Sequence, residues 1–241
     1  MALIDNLVSY WALDESSDGS GPVTRVDSHS TNDLTDNNTT ASATGIISNG
    51  ADFEFANSEL LTITDAAQTG LDFGTGAFSY SLWLKRETLG TTQRILAKDD
   101  PSFGYGYTII FLSSNVLRAS ANSSGGEQQP STTGTIVDTT TFHHVVFTRG
   151  ATNGVRIYID GSADVTVASS DFDVSTDDPF ALGGRAGGDP SYFDGILDEV
   201  GIWNRELTEA EVTSLYNSGA GLAYPFTTTT GKFLTLLGVG T

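Results

Sequence analysis

Along most of the 241 residues, short runs alternate apolar with polar side chains and stop at Gly, Asn, Asp or Ser. Period-two alternation fits strands, whose successive side chains point to opposite faces, and the punctuating residues suit tight turns. In the run Phe78–Leu84, Phe78, Tyr80, Leu82 and Leu84 share one face while Trp83 takes the other. That pattern predicts a strand buried on both faces. Val155, Ile157 and Ile159 alternate with Arg156 and Tyr158, forming a hairpin with the run from His144 to Arg149. Asn153-Gly154 and Asp160-Gly161 supply the positive φ angles that tight hairpin turns demand, and another strand is expected over 164–168. Many short antiparallel strands over this length predict one sandwich or barrel, since such domains run to roughly 200–250 residues.

One helix stands out. Thr208-Glu-Ala-Glu211 has the form of a capping box, in which the Thr hydroxyl and the Glu carboxylate satisfy backbone N–H groups reciprocally. Val212, Leu215 and Tyr216 then form an apolar stripe, and Gly219 suits a left-handed exit. A short helix lying on a sheet is expected. Beyond residue 226, Thr227–Thr230 leads into Gly231–Thr241, apolar, β-prone and uncharged apart from Lys232. Exposed, such a segment would aggregate, so it is expected to be covered by this body or by a neighbouring chain. The chain thus divides into a body, 1–226, and a tail, 227–241.

The chain has no cysteine, which excludes disulfides, thiolate metal sites and cysteine nucleophiles. A core of this size needs no such staple. Thirty acidic residues stand against eleven basic ones, a net charge of −19. That field repels phosphate backbones and anionic membrane surfaces, which argues against nucleic-acid binding. It solubilises the surface, and some of the acids are expected to hold a hard cation. No stretch approaches the roughly 18 apolar residues of a membrane span. Met1–Trp11 lacks the basic and apolar regions of a signal peptide. The expectation is either a mature or domain boundary or release without a signal, as for a virion part, with Met1 favouring the second.

Leu182-Gly-Gly-Arg185 and the stretch from Tyr192 to Tyr216 resemble the closing segment of laminin-G-like, concanavalin-type jelly rolls. Earlier segments agree in order. Leu7–Glu15 is similar to the family's opening strand, Val26–Leu34 to its first loop, and Gly50–Phe53, Phe78–Leu84 and Arg156–Gly161 to its middle strands. The resemblance spans roughly residues 5–217. It implies an all-β, two-sheet antiparallel jelly-roll sandwich with one short C-terminal helix. Each sheet would have six or seven strands, with the first and last family strands adjacent. It is far less specific for function, because the fold hosts lectins, adhesion modules, enzyme accessory domains and some hydrolases.

The resemblance also implies a structural Ca²⁺ joining the first long loop to the last strand. By position its ligands are Asp27 and Asp198, completed by Asn32 and loop carbonyls near Ser30. Two carboxylates converging without a basic partner repel unless a cation neutralises them. The alternative is that both aspartates cap turns and accept from backbone amides.

No catalytic residue is expected. Glucan-cutting relatives carry alternating carboxylates, Glu-x-Asp-x-x-Glu, on one strand. Here the nearest group is Asp194, Asp198 and Glu199. Asp198 and Glu199 are adjacent and face opposite sides, while Asp194 and Asp198 lie about 13 Å apart along an extended strand. His29, His143 and His144 have no serine in a nucleophile elbow. Adjacent strand histidines cannot chelate one metal, so one is expected inside as a structural group and the other solvated. Gly183–Gly188 lacks the Lys-Ser/Thr ending of a phosphate loop.

Ligand-binding residues are expected in loops. Phe103-Gly-Tyr105-Gly-Tyr107 spaces aromatics by glycine, and Tyr192 sits beside Arg185 and Asp189. Sugars pack C–H faces on aromatic rings and take orientation from Asp, Asn and Arg, which makes Tyr105, Arg185 and Tyr192 the candidate glycan contacts. The expected protein is a non-catalytic carbohydrate-binding or adhesion module steadied by calcium, extracellular or on a virion surface. Its alternative is a structural, decoration or fibre protein of a virion or surface layer, whose tail docks on a partner or builds a homo-oligomer. A glycoside hydrolase, lacking its carboxylate pair, ranks third.

Overall fold

The computed structural model describes residues 1–150, 154–168 and 172–226. Fifteen strands follow in chain order: β1 (Leu7–Trp11), β2 (Thr35–Asn37), β3 (Ala41–Thr44), β4 (Asn49–Phe53), β5 (Leu60–Ile63), β6 (Phe78–Arg86), β7 (Gln93–Asp99) and β8 (Gly106–Phe111). Then come β9 (Leu117–Ser123), β10 (Gly126–Gln128), β11 (His143–Gly150), β12 (Gly154–Ile159), β13 (Ser162–Val167), β14 (Phe180–Leu182) and β15 (Gly195–Trp203), before the helix α1 (Glu209–Tyr216).

The strands form two antiparallel sheets, a jelly-roll sandwich. One runs β13-β12-β11-β6-β15-β4-β3 with β1 also on β15; the other runs β10-β9-β8-β7-β14-β5-β2. They hold eight and seven strands, against the six or seven per sheet that the resemblance implied. The first and last strands are adjacent as expected, because Leu7–Trp11 pairs with Trp203–Val200. On the same side of β15, its other half pairs with β4, Gly195–Leu197 against Phe53–Ala51. Between those two partners the β15–β6 register shifts, from Asp198 to Gly201, and Glu199 takes φ +51°. This bulge puts two acids at the junction of three strands.

Alternation dictates two apolar layers. Phe78, Tyr80, Leu82 and Leu84 enter the inter-sheet core with Phe147 and Ile157 from one sheet and Ile95, Tyr107, Ile109 and Phe111 from the other. Phe73 stacks on Phe78 with ring centroids 4.5 Å apart, and Tyr80 on Phe147 at 4.8 Å. Such aromatic packing contributes beyond its buried area. Trp83 takes the opposite face, stacked on Tyr216 of α1 at 5.7 Å and tilted against His144. The Phe78–Leu84 run is therefore buried on both sides, as its composition predicted. The helix lies on the outer face of the eight-stranded sheet, with Val212, Leu215 and Leu207 packed among Leu7, Tyr10, Val146 and Trp203.

The capping box forms in full, Thr208 accepting from the Glu211 N–H and Glu211 from the Thr208 N–H. The left-handed exit is made by Asn217, φ +46°, and not by Gly219; Asn tolerates that conformation. Asp160 and Gly161 both take positive φ, +51° and +77°, in the turn joining β12 to β13. Gly161 is required twice over, since a Cβ there would come within 2.8 Å of the Tyr216 ring. The strand expected over 164–168 starts earlier, at Ser162. Of the other turn, Gly154 has φ +77°, whereas Asn153 lies outside the described residues. So does the whole tail, 227–241.

Candidate functional site

Three groups of chemistry-bearing side chains sit on this frame. The first lies on the outer face of the seven-stranded sheet. Arg185 donates to Asp99 through Nε, at 2.8 Å, and through Nη2, and approaches Asp189 at 3.5 Å. Arg94 bridges the same two carboxylates, 2.7 Å from Asp189 and 3.5 Å from Asp99, and reaches the Thr108 hydroxyl at 3.3 Å. Asp99 is buried, which pushes its carboxyl up against the pull of the two guanidinium groups. Arg185, expected to hold a ligand, is itself 8% exposed and has its charge spent on these partners. It is a brace for the loop between β14 and β15.

Tyr192 and Tyr105 flank that brace but do not meet. Tyr192 leans on Gly184 and packs edge-on against Phe55, centroids 6.5 Å apart. Tyr105 stacks on the 70%-exposed Phe103 in the turn between β7 and β8. Tyr192 is near the start of β7, where Arg94 donates its N–H to the Ser191 carbonyl. Tyr105 is near its end, where Asp100 donates to the Tyr105 carbonyl. Six strand steps separate the two ends, about 20 Å. The structure thus splits the expected trio.

The second group surrounds a cleft of about 410 Å³ at the mouth of the sandwich, lined by Glu54, Phe55, Ala56, Thr88, Thr91, Gln93 and Asp194. The residues preceding β15 and following β4 and β6 meet here with the start of β7. Asp194 ties them, its Oδ1 accepting from the Phe55 N–H at 3.0 Å and its Oδ2 from the Thr88 hydroxyl. Gln93 is fully buried; its Nε2 reaches the Thr91 hydroxyl at 3.2 Å, while its Oε1 has no partner. At the rim, carboxylate oxygens of Asp52, Glu54 and Glu87 converge within 4.8 Å of one another. Burial raises all three, Glu54 and Glu87 further through their acidic neighbours, while Lys85 opposes the rise at Asp52. Asp52-Phe53-Glu54 is the local sequence signal for this group, placing two acids on one side of an extended run. Glu87 joins them only because β6 and β4 flank β15.

The third group is the β15 bulge. Asp198 is fully buried; its Oδ2 accepts from the N–H groups of Ile46 and Ile47 at 2.7 and 3.0 Å, and its Oδ1 has no partner. Burial raises its carboxyl to about 8 despite those amides, with Glu199 and Asp14 adding to the rise. Glu199 accepts from the Tyr10 hydroxyl and is raised to about 7, chiefly by burial. Asp27 is differently placed. Its Oδ1 accepts from the N–H groups of Tyr10, His29 and Ser30, and its Oδ2 from that of Asn32. The Asn32 side chain is also committed, donating to Ser9 and the Thr69 carbonyl and accepting from the Thr69 N–H. Asp27 and Asn32 are therefore occupied with their loop's backbone, the turn-capping alternative. Of the three expected metal ligands, Asp198 alone keeps a buried oxygen with no donor.

The two β11 histidines are structural. His144 is the buried one, but it points outward under α1 and not between the sheets, with Nε2 2.8 Å from the Ser81 hydroxyl. Burial lowers it to about 4. His143 is half-buried, not solvated; its bond to Asp160, 2.9 Å, raises its pKa.

The two packed antiparallel sheets, closed by the bulged β15 beside β1, define a concanavalin-type jelly-roll sandwich. The chain belongs to the concanavalin A-like lectin/glucanases superfamily, whose laminin-G family model matches residues 55–213. Comparison with curated proteins finds no match. Among solved structures it is similar to the binding domain of Paraclostridial Mosquitocidal Protein 1, at 18% identity and a TM-score of 0.68 over 90% of this chain and 53% of that one. It is also similar to the binding domain of botulinum neurotoxin serotype D, at 12% identity and a TM-score of 0.68 over 89% and 52%. A third is domain 4 of AbnA, a GH43 extracellular arabinanase from Geobacillus stearothermophilus, in complex with arabinotriose: 22% identity, TM-score 0.62, covering 86% of this chain and 97% of that domain. The chain spans about half the length of the toxin binding domains. At these identities the likeness is one of fold. No helix among the described residues is long and apolar enough to cross a membrane.

Proposed function

We propose that the protein is a non-catalytic glycan-binding module acting outside the cell, with a calcium ion at Asp198 as part of its fold. The observation that carries the glycan reading is the pair of exposed aromatic platforms outside the strands, Phe55 at 44% and Phe103 at 70% exposure, each packed against a tyrosine. An apolar ring left in water on a stable frame, beside fixed polar groups, suits the C–H faces and hydroxyls of sugars. The family supports it, as do the neighbours: one is an arabinanase domain bound to arabinotriose, others are toxin binding domains. For calcium, the support is the buried Asp198 Oδ1 without a donor, since a hard cation takes carboxylate oxygens. The ion would neutralise Asp198 beside Glu199 and Asp14.

One observation favours a hydrolase instead, the converging carboxylates of Asp52, Glu54 and Glu87. A glycosidase pair flanks the scissile bond from two sides, whereas these acids crowd one rim, and Glu54 and Glu87 are solvent-exposed. A glycan array separates the readings. Binding with no release of reducing ends on prolonged incubation is expected. Turnover that disappears in Glu54→Gln overturns the non-catalytic assignment, and silence across the array overturns glycan binding.

A further inference from the structure

We infer that the cleft between Phe55 and Gln93 takes one or two rings of an uncharged saccharide. This names the site and ligand class for the glycan-binding reading on which it rests. At about 410 Å³ the cleft falls within the range of small-ligand sites, about 300–1,000 Å³.

Each wall offers what a neutral sugar needs. Phe55 presents an exposed ring whose orientation is set by its edge contact with Tyr192 and by its own N–H, donated to Asp194. Asp194 is held from two sides, by Phe55 and Thr88, and each carboxylate oxygen retains acceptor capacity for a sugar hydroxyl. The most telling group is Gln93. It is fully buried and lines the cleft, its nitrogen is served, and its Oε1 is left without a donor. Buried polar atoms in folded proteins are nearly always paired, so a lone one beside a cavity is a group that a donor from water or from a ligand can serve. A hydroxyl both donates and accepts, and so satisfies the amide in either orientation.

Charge sets the class. Asp194, Asp52, Glu54 and Glu87 surround the cleft and its rim, and Lys85 is the basic group acting there. Sialic acids, uronates and sulfated sugars would enter against that field. A neutral pyranose or furanose pays no such penalty.

The test is calorimetric titration of the full chain with arabinotriose, maltotriose, cellotriose and 3′-sialyllactose, beside a broad glycan array. The wild type is expected to bind at least one neutral trisaccharide and not sialyllactose. Phe55→Ala should weaken that binding at least tenfold, and Gln93→Leu likewise, with far-UV circular dichroism and melting showing both folded. Ile4→Ser, exposed beside the end of β15 remote from Asp194, should leave it unchanged. Full affinity in Phe55→Ala, or loss in Phe103→Ala instead, overturns the cleft while leaving glycan binding intact. Binding of sialyllactose alone overturns the uncharged class. Failure of the wild type to bind any sugar on the array overturns the underlying reading itself.

Discussion

Asp27 and Asp198 are one residue type under opposite conditions. Asp27 accepts four backbone N–H groups and needs nothing more. Asp198 accepts two on one oxygen and none on the other, in a fully buried setting. If calcium serves that oxygen, 1 mM Ca²⁺ against excess chelator should raise the melting midpoint by about 5–10 °C, the shift for a ligand near a hundredfold its Kd in a chain of this size. Asp198→Asn should abolish most of that difference; an unchanged wild-type midpoint on chelation would leave Asp198 a protonated turn anchor. His144 makes a second residue-level prediction. Its folded pKa, about 4, is below the unfolded value near 6.5, so the unfolded state binds the extra proton between them. Its contribution is complete above pH 6.5 and lost as pH falls toward 4, by about 1.4 kcal/mol per pH unit for one proton. His144→Gln keeps a partner for Ser81 and should lose less stability between pH 7 and pH 5 than the wild type, read from urea melts at both pH values. Equal losses would assign the acid sensitivity to other groups.

At the scale of elements, α1 depends on more than its apolar stripe. Arg205 holds Glu211 bidentately at 2.8 Å and reaches the backbone carbonyls of Ala2 and Asp5, tying the N-terminus to the helix start. Glu211 meanwhile closes the capping box. Removing one partner of a buried pair strands the other, so Arg205→Leu should cost about 3 kcal/mol, or a midpoint fall of roughly 6–12 °C. Thr208→Ala, which removes one cap, should cost about 1 kcal/mol by chemical denaturation. If the two losses proved equal, the ion pair would be no more than an accessory to the cap. The β15 bulge is the other decisive element. Lying between the β4 and β1 pairings, it turns both Asp198, opposite Trp83, and Glu199, bonded to Tyr10, toward the outer apolar layer, where a regular strand would have sent one of them to each face.

For the whole molecule, a net charge of −19 means self-repulsion in a compact body. Screening shortens from about 30 Å at 0.01 M salt to about 8 Å at 0.15 M. The melting midpoint should therefore rise by a few degrees between 10 and 200 mM NaCl, measured by scanning calorimetry in a monovalent buffer with chelator present. A fall would mean that attractive pairs such as Arg185–Asp99 and Lys98–Asp65 dominate the electrostatics.

Alternation and turn chemistry were enough to foresee an antiparallel sandwich or barrel, the double burial of Phe78–Leu84, the Asp160-Gly161 turn and the capped helix, because each depends on neighbours in the chain; the choice of a two-sheet jelly roll came from the family resemblance. The residues of the cleft were not legible in that way. Phe55, Thr88, Gln93 and Asp194 come from four separate segments, and nothing local in any of them marks a site. Likewise Arg185 has the look of a ligand contact until the fold places Asp99 and Asp189 against it, and Asn32 of a metal ligand until Thr69 takes its amide. Periodicity and propensity act over a few residues and so settle which elements form. Whether a polar side chain is free, braced or stranded depends on which distant segments pack beside it, and that was decided only when the two sheets closed.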